Sequence, residues 1–235
     1  MGTPSRSAKG ATRNRIRAVH RRLRATQGPF TPKPRLPILD ELIATVLSQH
    51  TSDVNTARAF ASLKERFPDW SSAARAPVRS IEAAIRSGGL AAQKAPRIKS
   101  ILATVKEREG RADLARLDGL TDDEVEEYLC SLPGVGPKTA ACVLAFSMGR
   151  PAFPIDVHVH RIALRLGLIP DRTTAEAAHR LLTPNVPPQI RYELHMQLIH
   201  HGRTICTARR PRCSECPLLD LCASGPVLLA RGDAR

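Results

Sequence analysis

Apolar residues recur at steps of three and four along most of this 235-residue chain. After the proline-rich "PFTPKPRLP", the segment "ILDELIATVLSQ" places its apolar residues on one helical face. "NTARAFASLKERF", "VRSIEAAIRSGG", "APRIKSILATVKERE", "TDDEVEEYLCSL" and "PKTAACVLAFSMG" keep the same period. This predicts six helices joined by short turns between about Leu36 and Gly149. Upstream, "TRNRIRAVHRRLRATQG" sets Ile16, Val19 and Leu23 at helical spacing and closes on Gly28, as helices do. A second helical stretch follows in "VHVHRIALRLGL", "TTAEAAHRLLT" and "PPQIRYELHMQLIHHGRTIC". The tail "SGPVLLARGDAR" carries no strong signal. No segment alternates as a strand would, so the expected fold is all-α. No apolar run approaches the roughly 20 residues of a membrane span, and none reads as a secretory signal.

Charge changes the picture. The chain has 36 Lys and Arg against 22 Asp and Glu, a formal net charge of +14. So basic a balance points to a polyanion, most often nucleic acid; a basic surface without a specific partner is the plainer reading. Aromatic residues are only 3%, which argues against base stacking on aromatic platforms as the main device. Ten Lys or Arg, from Arg6 to Arg35, precede the first acidic residue, Asp40. Residues 1–10 read as a disordered basic tail. An Arg-rich, acid-free start also suits a mitochondrial transit peptide, but the helical pattern running into the fold favours a mature N-terminus.

"TDDEVEEYLCSLPGVGPKTAACVLAF" reads helix, hairpin, helix. Thr121 with Glu124 makes a capping box. Gly134 and Gly136 allow positive φ or a close approach to something bulky, and Pro137 suits a first helical turn. Lys138 then sits at the helix mouth, where free N–H groups can hold a phosphate oxygen. The pattern resembles the helix–hairpin–helix DNA-binding motif, which grips backbone without reading sequence. A helix N-terminus disfavours an ammonium, so Lys138 reads as a nucleophilic neutral amine. Read alone, a phosphate-contacting lysine serves equally well.

Four of the six cysteines, Cys206, Cys213, Cys216 and Cys222, fall in "CTARRPRCSECPLLDLC", spaced C-x6-C-x2-C-x5-C. Zinc ribbons use two separated C-x2-C knuckles, and one is present here. The compact loop suits a [4Fe–4S] cluster better; zinc and free or disulfide-bonded cysteines are the alternatives. Cys130 and Cys142 read as core residues.

"LPGVGPKTA", "IDVHVHR" and "HGRTIC" leading into the cysteine loop together resemble endonuclease III, of the helix–hairpin–helix, Gly-Pro-Asp superfamily of base-excision DNA glycosylases. The likeness covers about Thr12 to Cys222. It implies a six-helix barrel domain over 36–150, with the hairpin motif at about 121–148. It also implies a cluster domain made of 11–35 and 151–235. The implied reaction is excision of oxidised or damaged pyrimidines by attack on the sugar C1′, then strand cleavage by β-elimination. Lys138 matches the family's Schiff-base lysine and Asp156 its essential aspartate. Related mismatch adenine glycosylases carry a cluster but generally lack the lysine, and related oxoguanine glycosylases have the lysine without a cluster. The implied cofactor is one [4Fe–4S] cluster on the four cysteines. The implied partner is double-stranded DNA carrying damaged bases or abasic sites, bound by a monomer away from membranes. The setting would be a bacterial cytoplasm, with mitochondrion or nucleus as alternatives.

The chemistry agrees from below, because a carboxylate can stabilise positive charge building on the sugar. Asp156 also reads as a helix N-cap. Around the hairpin, Gly134, Val135, Gly136 and Thr139 are expected at the DNA. In "LSQHTSD", His50 stands where the family places a gap-filling Gln, with Gln49 one residue earlier. "SGGLAAQKA" resembles the family's intercalating loop, which makes Leu90 a wedge or else a helix-start core residue. Arg209, Arg210 and Arg212 make the cysteine loop a candidate phosphate contact or a solvated basic loop. Asp156, His158 and His160, with His200 and His201, suggest a metal hydrolase only if the segment is a strand. His195 reads as packed or surface-exposed. The remaining functional alternatives are a mismatch or alkylated-base glycosylase on the same fold, and a non-catalytic DNA-binding protein.

Overall fold

The computed structural model describes the backbone of residues 6–32 and 35–235, with side chains from residue 11 onward. It is all-helical: no strand occurs among the described residues. The chain divides into two compact units, Pro34–Arg150 and a second made of Met1–Lys33 with Pro151–Arg235.

The Pro34–Arg150 unit contains α2 (Ile38–Ser48), α3 (Asp53–Arg66), α4 (Trp70–Arg75), α5 (Val78–Ala84), α6 (Ala91–Glu109), α7 (Asp122–Cys130) and α8 (Pro137–Cys142). The six periodic segments all form helices. α4 is the addition: "WSSAAR" is too short to show a period, and its start is fixed by the Asp69 carboxylate accepting from Ser72 N–H at 2.7 Å. α6 starts four residues ahead of "APRIK" and carries Pro96 inside it. The core is what the periodicity selects: Leu42, Ile43, Val46, Leu63, Ile81, Ile98, Ile101 and Leu102 are all sealed from solvent. After α8 the chain widens into a π-turn over Val143–Ser147, a local form often found near functional positions.

The other unit contains α1 (Arg6–Gln27), α9 (Val157–Arg165), α10 (Ala175–Leu182), α11 (Arg191–Thr204) and α12 (Gly225–Ala230). Met1–Ser5 of the expected basic tail lie outside the described residues, and from Arg6 the backbone is already helical. Ile16, Val19 and Leu23 of α1 pack with Phe153, Val159, Ile162, Leu194 and Leu198 in one core. α9 and α11 approach closely at Gly202, where a Cβ would come within 2.7 Å of His158 Nδ1. The C-terminal tail, which gave no sequence signal, forms α12 and returns to the cysteine loop. There the Arg235 N–H donates to the Pro211 carbonyl and the Ser214 N–H to that of Arg235.

Candidate functional site

The hairpin before α8 is set up from both sides. Thr121 and Glu124 form the expected capping box on α7, with the Thr121 N–H donating to the Glu124 carboxylate at 2.8 Å. Gly134 takes φ +71°, a conformation that favours glycine. Gly136 is extended instead, at φ −115°, and caps α8 with Pro137 at the first turn. The N–H groups of Gly134 and Gly136 have no hydrogen-bond partner among the described residues. Val135 and Thr139 differ from expectation. Both side chains are buried, and their N–H groups are held by the Leu132 and Gly136 carbonyls. Their contribution is to brace the turn; the two glycines carry the open donors.

Lys138 is half-buried on the first turn of α8, and its amine makes no hydrogen bond or ion pair among the described residues. One carboxylate acts on it at longer range. Glu41, on the first turn of α2, has its carboxyl pushed above the ordinary value by burial, while the hydrogen bond from Thr45 and the Lys138 charge pull it back. The Thr45 hydroxyl donates to it at 3.3 Å. Sequence reading missed Glu41, because 97 residues separate it from Lys138 and only the packing of α2 on α8 relates them.

Asp156 is the N-cap of α9. Its Oδ1 accepts from the N–H groups of His158 at 2.9 Å and Val159 at 2.8 Å. Both hydrogen bonds go to one oxygen, so Oδ2 is left without a partner among the described residues. Because the segment is helical, His158 and His160 diverge. Arg161 donates to His158 Nδ1 at 3.1 Å, and His160 Nε2 meets the Thr173 carbonyl at 2.7 Å. Those engagements dispose of the metal-hydrolase reading. His195 is packed, with Nδ1 on the Pro154 carbonyl at 2.9 Å and its ring edge-on to Phe153.

The other expected DNA contacts also find places. His50 and Leu90 are exposed, and both have left-handed backbones, at φ +55° and +52°. Leu90 is thus no core residue; it stands at the N-cap of α6. Gln49 turns inward, its Oε1 accepting from Arg97 at 2.7 Å. Arg209 and Arg210 are exposed, whereas Arg212 is paired with Glu215 and is the least available of the three.

The four loop cysteines are free thiols and line one cavity with Ile162, Leu166, Leu218 and Leu228. Polar groups approach three of the sulfurs. Arg165 Nη1 lies 3.3 Å from Cys206 Sγ, the Gly225 N–H 3.3 Å from Cys222 Sγ, and His201 Nε2 3.6 Å from Cys216 Sγ. Burial pushes the Cys216 thiol up to about 11 and the Cys213 thiol upward as well, so bound iron is what would ionise them. Among the described residues no group of three or more His, Cys, Asp or Glu could hold a single metal ion. Four thiols line one apolar cavity, and N–H donors from Arg165 and Gly225 reach two of the sulfurs; such a donor set fits an iron–sulfur cluster.

Comparison with known proteins agrees with this geometry. Residues 43–188 match the family described as "HhH-GPD superfamily base excision DNA repair protein". Residues 206–222 match the "Iron-sulfur binding domain of endonuclease III". A putative DNA glycosylase of Arabidopsis thaliana is 42% identical over 170 residues, 72% of this chain; the chain spans only 58% of that relative's length. Endonuclease III of Thermotoga maritima is 38% identical over 184 residues, covering 77% of this chain and 80% of the relative. A solved structure described as a trapped endonuclease III–DNA covalent intermediate superposes with a TM-score of 0.79 at 28% identity, covering 92% of this chain and 98% of that one. The cofactor of the cysteine loop is accordingly a [4Fe–4S] cluster.

Proposed function

Because the chain belongs to the HhH-GPD superfamily of base excision DNA repair proteins, we propose that it is a bifunctional glycosylase and abasic-site lyase. Its substrates are oxidised or ring-damaged pyrimidines in duplex DNA. The observation that carries this reading is the unpaired Lys138 amine, which directly follows a turn whose two glycine N–H groups are also unpaired. Such a site takes a phosphate on the turn and leaves an amine free for a sugar.

In the proposed reaction the neutral Lys138 Nζ attacks C1′. The bond from C1′ to the base breaks, and the base leaves with the electron pair and gains a proton. The Asp156 carboxylate stabilises the positive character that builds on the sugar. Loss of an Nζ proton and opening of the ring give a protonated imine between Lys138 and C1′. A proton then leaves C2′, the C3′–O bond breaks, and the strand is cut; water restores the amine. The trapped covalent intermediate reported for a relative supports such an adduct. Cys206, Cys213, Cys216 and Cys222 hold the cluster, which when bound crosslinks the loop between α11 and α12. Arg209 and Arg210 on that loop, with His50 and Leu90, serve as further DNA contacts.

A panel of duplexes, each with one damaged pyrimidine or an abasic site, tests the reading. Base release and nicking of the abasic duplex are expected together. Base release without nicking reduces the protein to a monofunctional glycosylase, and neither activity leaves a DNA-binding protein.

A further inference from the structure

Two exposed residues of the Pro34–Arg150 unit, His50 and Leu90, hold left-handed backbones that side chains with a Cβ rarely adopt. Such conformations persist when surrounding structure over-determines them, and they cluster at functional positions. The surroundings here are two cations on one face of α6. Lys94 is buried, at 3% exposure. Its Nζ donates to the Leu47 carbonyl at 2.7 Å and to the Gly88 carbonyl at 3.0 Å. Those carbonyls lie three residues before His50 and two before Leu90. Burial pushes the Lys94 ammonium below its ordinary pKa, so this is a costly place for an amine unless it must tie two loops. One turn later Arg97 donates from Nη1 to Gln49 Oε1 at 2.7 Å. Arg97 also runs against the hairpin, where a Cβ on Gly134 would come within 2.7 Å of its Nε.

We propose that Lys94 and Arg97 are positioning residues that yoke His50, Leu90 and the Gly134 turn into one rigid probe for stacked duplex DNA. The proposal rests on the glycosylase reading above and adds how the enzyme opens an intact helix. Leu90 enters the stack, His50 faces the space vacated, and the hairpin holds the phosphate, all against a single helix. Without the ties each residue meets the duplex alone and relaxes toward an ordinary backbone. The cost falls on opening the helix, not on the chemistry at Lys138. A lesion that is already unpaired needs no such probe.

The test uses the full-length, cluster-loaded protein and two DNAs that differ only in whether the lesion lies in a paired duplex or in a small unpaired bubble. Single-turnover excision by Arg97→Ala should fall about tenfold on the paired duplex and stay within about twofold on the bubble. Lys94→Met, which keeps the length of the side chain and loses both donors, should show the larger split. A 2-aminopurine base opposite the lesion should brighten less with either variant than with wild type. Equal losses on both DNAs, or no loss on either, would overturn the proposal by making the two cations mere supports of the fold. If Lys94→Met fails a thermal-melting check of folding, Arg97→Ala, half-exposed on α6, decides the matter alone. Wild-type protein inert on both DNAs would contradict the glycosylase reading itself, which is a different result.

Discussion

The hairpin before α8 and the cysteine loop after α11 are made of similar parts: a punctuated turn at a helix end, surrounded by cations. They finish in opposite states. Around the cysteine loop the arginines nearest the sulfurs are engaged, while Arg209 and Arg210 at its rim stay exposed. Arg161 donates to the Cys206 and Gly202 carbonyls, and Arg165 to Cys206 Sγ and the Thr207 carbonyl. Arg212 is paired with Glu215. At the hairpin the Gly134 and Gly136 N–H groups and the Lys138 amine are left without partners among the described residues. Polar groups that are saturated hold a structure; polar groups left open are addressed to something that arrives later. On the proposed function, the contrast separates the part of the molecule that holds a cluster from the part that performs chemistry.

The largest effect should come from the saturated region. Cys213→Ser replaces the most buried of the four loop cysteines, and on the proposed ligand set the purified protein should be colourless and without iron. Because the cluster crosslinks its loop, the melting temperature should drop by roughly 10 °C or more. An iron-loaded, equally stable variant would erase the contrast from that side.

Asp156 comes next, since it belongs to both descriptions. Asp156→Asn keeps a good helix cap, so stability should change little, while base excision slows by about 10²–10³. Asp156→Ala should lose about 1 kcal/mol of stability as well. If Asn and wild type excise equally fast, Asp156 is a cap and nothing more.

The smallest effect sharpens the open region. Glu41 carries a stability signature. Its folded carboxyl holds its proton above the ordinary value, so its contribution to stability falls as pH rises from that value through the raised one, and Glu41→Gln removes that slope. A Glu41→Gln variant whose stability keeps the wild-type dependence on pH would mean that the buried carboxyl does not carry that slope.

Much of this was legible in the sequence, for reasons that are local. Ile16, Val19 and Leu23 repeat at helical spacing because they face one core. Thr121 and Glu124 lie within a single turn, and the cysteines lie within a single loop. What was not legible is tertiary. Glu41 meets Lys138, and Arg97 meets Gln49 and Gly134, only after α2, α6 and α8 have packed. Val135 and Thr139 belong to the right motif, but only the folded hairpin turns them inward. Arg212 reads as one of three equal arginines until its partner Glu215 is placed.

The central claim is that Lys138 is left open because it attacks DNA. Borohydride reduction during reaction with an abasic duplex tests it most directly. Wild-type protein should yield a covalent protein–DNA adduct, and Lys138→Ala should yield none while still binding the duplex through the Gly134 and Gly136 N–H groups. Lys138→Arg should also give none, because a guanidinium stays protonated. An adduct undiminished in Lys138→Ala would contradict the account and leave the hairpin lysine as a phosphate contact.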